Sequence, residues 1–146
     1  MNLLRWLTGD SGRGVVVGDG AFRFRVVGTS FHQEVLEKIA DPRSRAGYRR
    51  FCAAVLHPQP SNPYDRHAVA VSIRDEKVGH LERIVAPEFR RILQSAGYAD
   101  AACEAEIVGG WEWGRDDRGY VGLRLNASLP FRIVAASRYN PKLWHR

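Results

Sequence analysis

The sequence predicts a mostly β domain, a small OB-like or SH3-like antiparallel barrel of about six strands with two short helices. Two observations predict it. Short runs alternating apolar and polar residues recur along the chain between turn-forming residues, the mark of half-buried strands. Only two stretches carry apolar residues at helical spacing, and their order among the strands is not the regular alternation of a parallel sheet. With 146 residues, 45% of them hydrophobic, the chain has the size of one core rather than two.

The elements follow in order. Residues 1–20 read as a flexible leader: glycines punctuate it, and the run Val15-Val16-Val17 is at most an edge strand. The barrel domain is expected over 21–126. It opens with Phe22-Arg23-Phe24-Arg25-Val26-Val27-Gly28, which alternates apolar and basic residues at first. Val35, Leu36 and Ile39 then give an amphipathic helix over His32–Ala40, closed by Asp41-Pro42. An arginine-rich connector, 43–50, leads to a strand over Phe51–His57. Pro58, Pro60 and Pro63 hold the next loop extended before a third strand at Ala68–Ile73. Asp75-Glu76-Lys77 reads as a hairpin turn into Val78–Leu81. A second helix spans Val85–Ala96, with Pro87 in its first turn and Gly97 at its end. Strands five and six are Ala102–Val108 and Tyr120–Leu125, joined by a polar loop over 114–119. The stretch 127–146 is expected as a basic tail; from Arg132 onward it has Arg138, Lys142, His145 and Arg146 and no acidic residue, and so suits a polyanion.

Charge narrows the partners. There are 22 Lys and Arg against 16 Asp and Glu, a net charge of +6, and all the basic residues except Lys38, Lys77 and Lys142 are arginines. Guanidinium forks match phosphates and stack on bases, which favours an anionic partner such as nucleic acid. Cys52 and Cys103 are too few for a disulfide scaffold and have no metal-ligand spacing. No apolar run reaches the roughly 20 residues of a membrane span, and the start has no signal-peptide pattern, so a cytoplasmic location with reduced thiols is expected.

No catalytic set, metal site or cofactor is expected. His32, His57, His67, His80 and His145 are scattered, and Ser30 lacks a nucleophile-elbow context. Glu104 and Glu106, two apart on a strand, read as one solvated face. The aromatics say more. Phe31 ends the first strand, Tyr64 stands in a proline-braced loop beside Asn62 and Asp65, and His80 comes shortly before Arg83. Flat π faces near arginines suit single-stranded nucleic acid. On the residues alone each also fits a structural role: Phe31 in the core, Tyr64 packed on the barrel, His80 hydrogen-bonded.

Three blocks, Val26-Val27-Gly28-Thr29-Ser30-Phe31, Pro58-Gln59-Pro60-Ser61-Asn62-Pro63-Tyr64-Asp65-Arg66-His67-Ala68-Val69-Ala70-Val71 and Lys77-Val78-Gly79-His80-Leu81, resemble the HIRAN domain. The most specific is the Asn-Pro-Tyr-Asp turn followed by Ala-Val-Ala-Val, and the resemblance spans about Phe22 to Leu125. It implies an OB-like barrel that binds single-stranded DNA, and in eukaryotic fork-remodelling members captures its 3′-hydroxyl end. Carried over, Tyr64 stacks on the terminal base, Asp65 accepts from the 3′-hydroxyl, Phe31 forms a second aromatic wall, and His80 and Arg83 face phosphates. Asn62 and Arg66 belong to the same binding turn. The chain departs from the eukaryotic pattern at Ser30, where a basic residue is usual, and at Phe31, where a tyrosine is. Arg43, Arg45, Arg49 or Arg50 could supply the missing charge.

The expected function is therefore a non-enzymatic DNA-binding module for repair or replication. No motor or nuclease is attached, so a separately encoded helicase or nuclease is the implied partner. The alternatives are a protein-interaction adaptor on the same barrel and a small metal-dependent nuclease.

Overall fold

The computed structural model describes residues 12–40, 48–109, 112–114, 117–118 and 120–139. Its centre is the antiparallel pair β3 (Tyr48–Pro58) and β6 (Ala101–Gly109), in register from Tyr48 opposite Gly109 to Leu56 opposite Ala101. β3 also pairs with β4 (Val69–Ile73), and β4 with β5 (Glu76–His80). On its other edge β6 pairs with β9 (Val121–Leu125), and β9 with the short β2 (Phe24–Arg25). These six strands curl until the chain after β2 meets β5, where Val27 and His80 form a single antiparallel bridge.

The curl encloses one apolar core. Leu56, Ile73, Val78, Ile107, Leu123 and Leu125 point into it from the strands. Helix α1 (Gln33–Ala40) contributes Leu36 and Ile39, and helix α2 (Ala86–Ala96) contributes Phe89 and Leu93. Phe131 packs at 5.2 Å from Phe24 and 5.3 Å from Phe89 (ring centroids), joining β2 to α2. Pro87 and Gly97 occupy the start and end of α2 as the sequence predicts, with Gly97 at φ 83°. None of the described helices is long and apolar enough to cross a membrane.

The expected leader and tail need correction where the structure describes them; residues 1–11 of the expected leader lie outside the described residues. Gly14–Val16 is strand β1, buried, and it pairs in parallel with β6 and antiparallel with β10 (Ile133–Ala135). The Arg13 guanidinium grips Asp100 through Nε–Oδ1 at 2.8 Å and Nη2–Oδ2 at 3.3 Å. Gly18 is a close approach, not a flexible joint: a Cβ there would lie 2.4 Å from the Asn126 backbone. Both ends of the domain thus add strands to the sheet, and β1 makes it mixed rather than wholly antiparallel. Arg138 stands exposed in a 3₁₀ turn after β10, while Lys142, His145 and Arg146 lie outside the described residues.

Glu104 and Glu106 are corrected for the same reason. They are 1% and 2% exposed, not solvated. Ala102 shares their side of β6, and there Ala102 and Val15 pack against Ala136 and Tyr139, segments expected to be elsewhere. Asn126 donates from Nδ2 to Glu104 Oε2 at 3.2 Å, and its Oδ1 accepts from the Gly20 N–H at 2.8 Å.

Smaller shifts follow local geometry. The first strand shrinks to Phe24–Arg25, since Phe22 turns the chain at φ 49°. The β4–β5 turn is Arg74–Asp75, both at positive φ, so Glu76 and Lys77 belong to β5. Around the expected 114–119 loop, β7 (Glu112–Gly114) pairs with β8 (Asp117–Arg118). The connector residues Arg43 and Arg45 lie outside the described residues.

Candidate nucleic-acid interface

The loop between β3 and β4 is built around Asn62. Its Oδ1 accepts from the backbone N–H of Tyr64 at 2.9 Å and of Asp65 at 3.1 Å, while its Nδ2 donates to Gln59 Oε1 at 3.2 Å. Asp65 closes the next turn, its Oδ1 accepting from the His67 N–H at 2.9 Å. The Gln59 N–H to Ala68 carbonyl bond, 2.8 Å, shuts the loop at its base. Asn62 is therefore a turn-maker that sets the position of Tyr64, whose ring is held 90% exposed on a fixed backbone.

A groove of about 570 Å³ lies beside it, lined by Gln59 to Tyr64 on one wall and by Lys77 and His80 of β5 on the other. His80 Nε2 lies 2.8 Å from Gln59 Oε1, so the network assigns the ring proton to Nε2. Burial, with Lys77 nearby, holds the His80 imidazole below its ordinary pKa. His32 is depressed by the same two causes. At neutral pH both rings are uncharged, and the groove's cation is Lys77.

Arg83 reaches the loop from the turn between β5 and α2. Its Nε is 3.4 Å from Asp65 Oδ2 and its Nη2 is 3.4 Å from the Tyr64 carbonyl, with the guanidinium 79% exposed. The His67 N–H first, and Arg83 after it, keep the Asp65 carboxyl below the usual carboxylate range. Asp65 is thus held ionised one residue after the exposed Tyr64, with Oδ1 in the turn and Oδ2 toward Arg83.

Phe31 projects from a 3₁₀ turn, Thr29–His32, and is 86% exposed. Gln33 clamps this turn. Its Nε2 donates to the carbonyls of Thr29 and Val121, each at 2.8 Å, and its Oε1 accepts from the Val121 N–H at 2.8 Å. A side-chain amide here pairs with the free edge of β9 as a strand residue would.

The expected residues therefore divide. Asn62, Tyr64 and His80 share the groove; Asp65 and Arg83 adjoin it at Tyr64. Phe31 and Arg66 do not line it. The Arg66 carbonyl instead accepts from Arg90 Nη1 at 2.5 Å. The roles of Tyr64 and Phe31 as packed side chains are excluded by their exposure, whereas His80 is indeed hydrogen-bonded.

Sequence reasoning missed Gln59, Lys77 and Gln33. Lys77 and His80 are three apart, which strict alternation puts on opposite faces. The irregularity in the β4–β5 ladder, where Gly79 opposes Val71 but Lys77 opposes Ser72, resets the alternation and turns Lys77 to the groove. Among the described residues no group of three His, Cys, Asp or Glu could hold a metal ion.

The family model of the HIRAN domain matches residues 19–108. Among solved structures the chain is similar to the crystal structure of the HIRAN domain of human HLTF, with 19% identity, a TM-score of 0.37, and coverage of 80% of this chain and 81% of that one. Comparison with curated proteins gives no match.

Proposed function

The chain belongs to the HIRAN domain family, and from that membership and the groove beside Tyr64 we propose that it is a non-enzymatic module binding single-stranded DNA at its 3′-hydroxyl end, in repair or replication. HIRAN domains are DNA-binding domains, which supports a nucleic-acid-binding module. A helicase or nuclease would act on the DNA it holds.

The observation that carries the reading is Tyr64. An aromatic ring left 90% exposed forgoes the burial that normally stabilises such a side chain. Asn62 nonetheless fixes its backbone with two hydrogen bonds. An exposed π face carried on a fixed backbone beside a lysine-bearing groove is suited to stacking on a base, with the loop itself already ordered.

Asp65 supplies the end preference. Its Oδ1 is used in the turn, and Oδ2 faces Arg83 at a long 3.4 Å. A passing phosphate is repelled by that oxygen, whereas a terminal hydroxyl can donate to it. Arg83 and Lys77 supply phosphate contacts on either side of the loop.

Fluorescence anisotropy with a labelled single strand, titrated at several salt concentrations, tests the reading. Affinity is expected to fall with salt, and Arg83→Ala should reduce the slope by about 0.7, one phosphate contact on a single strand. No binding at low salt would contradict it.

A further inference from the structure

The 62–67 loop borders a second cleft, of about 680 Å³, where Pro58 and His67 face helix α2 and the turn that follows it. Pro87, Leu93 and Tyr98 give it apolar walls, Arg90 and Arg91 line it, and no acidic side chain does. Arg90 is half-buried there. Its Nη1 donates both to the Arg66 carbonyl at 2.5 Å and to His67 Nδ1 at 3.2 Å. One nitrogen makes both bonds, so the guanidinium is oriented while its Nε and Nη2 are left to donate elsewhere. Arg91 also lines the cleft; the Glu88 carboxylate on the same helix holds its Nε and Nη2 and offsets its charge, which leaves Nη1 as an additional donor. An oriented fork between apolar walls is the chemistry that holds a phosphate with its sugar and base alongside.

We propose that this cleft is a second phosphate site and that it takes a DNA strand other than the one ending at Asp65. The inference rests on the end-binding reading above. With a 3′ terminus at Tyr64 and Asp65, the strand runs back along Gln59, Lys77 and His80. Nothing of it continues past Asp65, yet the cleft begins two residues further on, at His67. A phosphate bound there belongs to another strand, the complement in a duplex whose 3′ end has been opened. The domain then grips the two strands of a DNA end on opposite sides of one loop.

The test compares a short 3′-hydroxyl single strand with the same strand annealed to a longer complement, by anisotropy. The wild-type protein should bind the annealed probe about tenfold tighter, the scale of one charge-assisted contact. Arg90→Gln should abolish that gain and leave the single-strand affinity unchanged. Arg91→Gln, which touches no part of the loop, should shrink the gain without disturbing the fold. Equal wild-type affinity for the two probes would overturn the inference, as would substitutions that weaken both probes alike. Repeating both probes with a 3′-phosphate separates the two readings. If the 3′-hydroxyl preference is absent while the Arg90-dependent gain survives, only end capture fails. If the preference stands and the gain is absent, only the second site fails.

Discussion

Val27 and His80 exchange both backbone hydrogen bonds, each N–H donating to the other's carbonyl at 2.9 Å. This bridge is where the curled sheet meets itself, and it also carries a groove residue. Closure of the sheet and formation of the groove are thus one event, because the strand that presents His80 to Gln59 is the strand that Val27 seals.

Gly79 makes the seam possible. A Cβ at that position would sit 2.5 Å from the Val27 carbonyl oxygen and 2.5 Å from Val26 Cγ1. Gly79→Ala should therefore destabilise the domain by about 1–3 kcal/mol, the usual range for overpacking. Denaturant melts measure the loss. DNA affinity should fall with it, since His80 moves with the seam, and an unchanged midpoint would show that the seam has room to spare.

Gln33→Leu keeps the bulk of the side chain and removes three hydrogen bonds, two of them to the backbone of the fully buried Val121. Leaving those groups unpaired should cost about 1–3 kcal/mol. The Phe31 turn should also gain mobility, seen as faster amide hydrogen exchange at residues 29–32 than elsewhere on the surface.

Much of this fold is legible in the sequence. The alternating runs give β3, β4, β6 and β9, and the apolar spacing gives both helices. What escapes is long-range. Val15–Val17 looks like a loose run between glycines because its partners, Ala101, Ala102 and residues 133–135, are far away in the chain. Once that pairing is missed, the side of β6 bearing Glu104 and Glu106 looks solvated. The site divides in the same way. Asn62, Tyr64 and Asp65 are adjacent in one turn and can be read from it, whereas Gln33 and Lys77 reach their places only through a 3₁₀ turn and a strand irregularity.

The histidines set an acid response. His32, His57 and His80 are all held below the ordinary value of 6.5, mainly by burial. Above that pH they are neutral in both folded and unfolded chains and contribute no dependence. As pH falls below 6.5 the unfolded chain takes up protons that the folded protein resists, so stability declines. The decline continues until the folded groups also protonate. Denaturant melts between about pH 7.5 and about pH 5.5 should show it. His57→Gln, away from the groove, should flatten the slope; an unaltered slope would assign the response to other groups.

Stacking on Tyr64 predicts a graded series. Tyr64→Ala should cost about 1–3 kcal/mol of single-strand affinity, and Tyr64→Phe much less, because the π face survives. Phe31 lies outside the groove lining, so Phe31→Ala tests the second wall separately: a similar loss would extend the contact to Phe31, and no loss would leave the stacking to Tyr64. Neither ring is packed in the core, so thermal melting should be nearly unchanged. Equal losses in Tyr64→Ala and Tyr64→Phe would point to the hydroxyl instead.

The most direct measurement is the affinity of the wild-type protein and of Asp65→Asn for one oligonucleotide ended in turn by a 3′-hydroxyl and a 3′-phosphate. Asn at 65 keeps an oxygen to accept from the His67 N–H, so the turn should survive, but the charge is gone. The wild-type protein should prefer the hydroxyl end strongly, because a terminal phosphate sets about two negative charges against the carboxylate. In Asp65→Asn most of that preference should disappear. Equal wild-type binding of the two ends would contradict end recognition and leave a general single-strand binder.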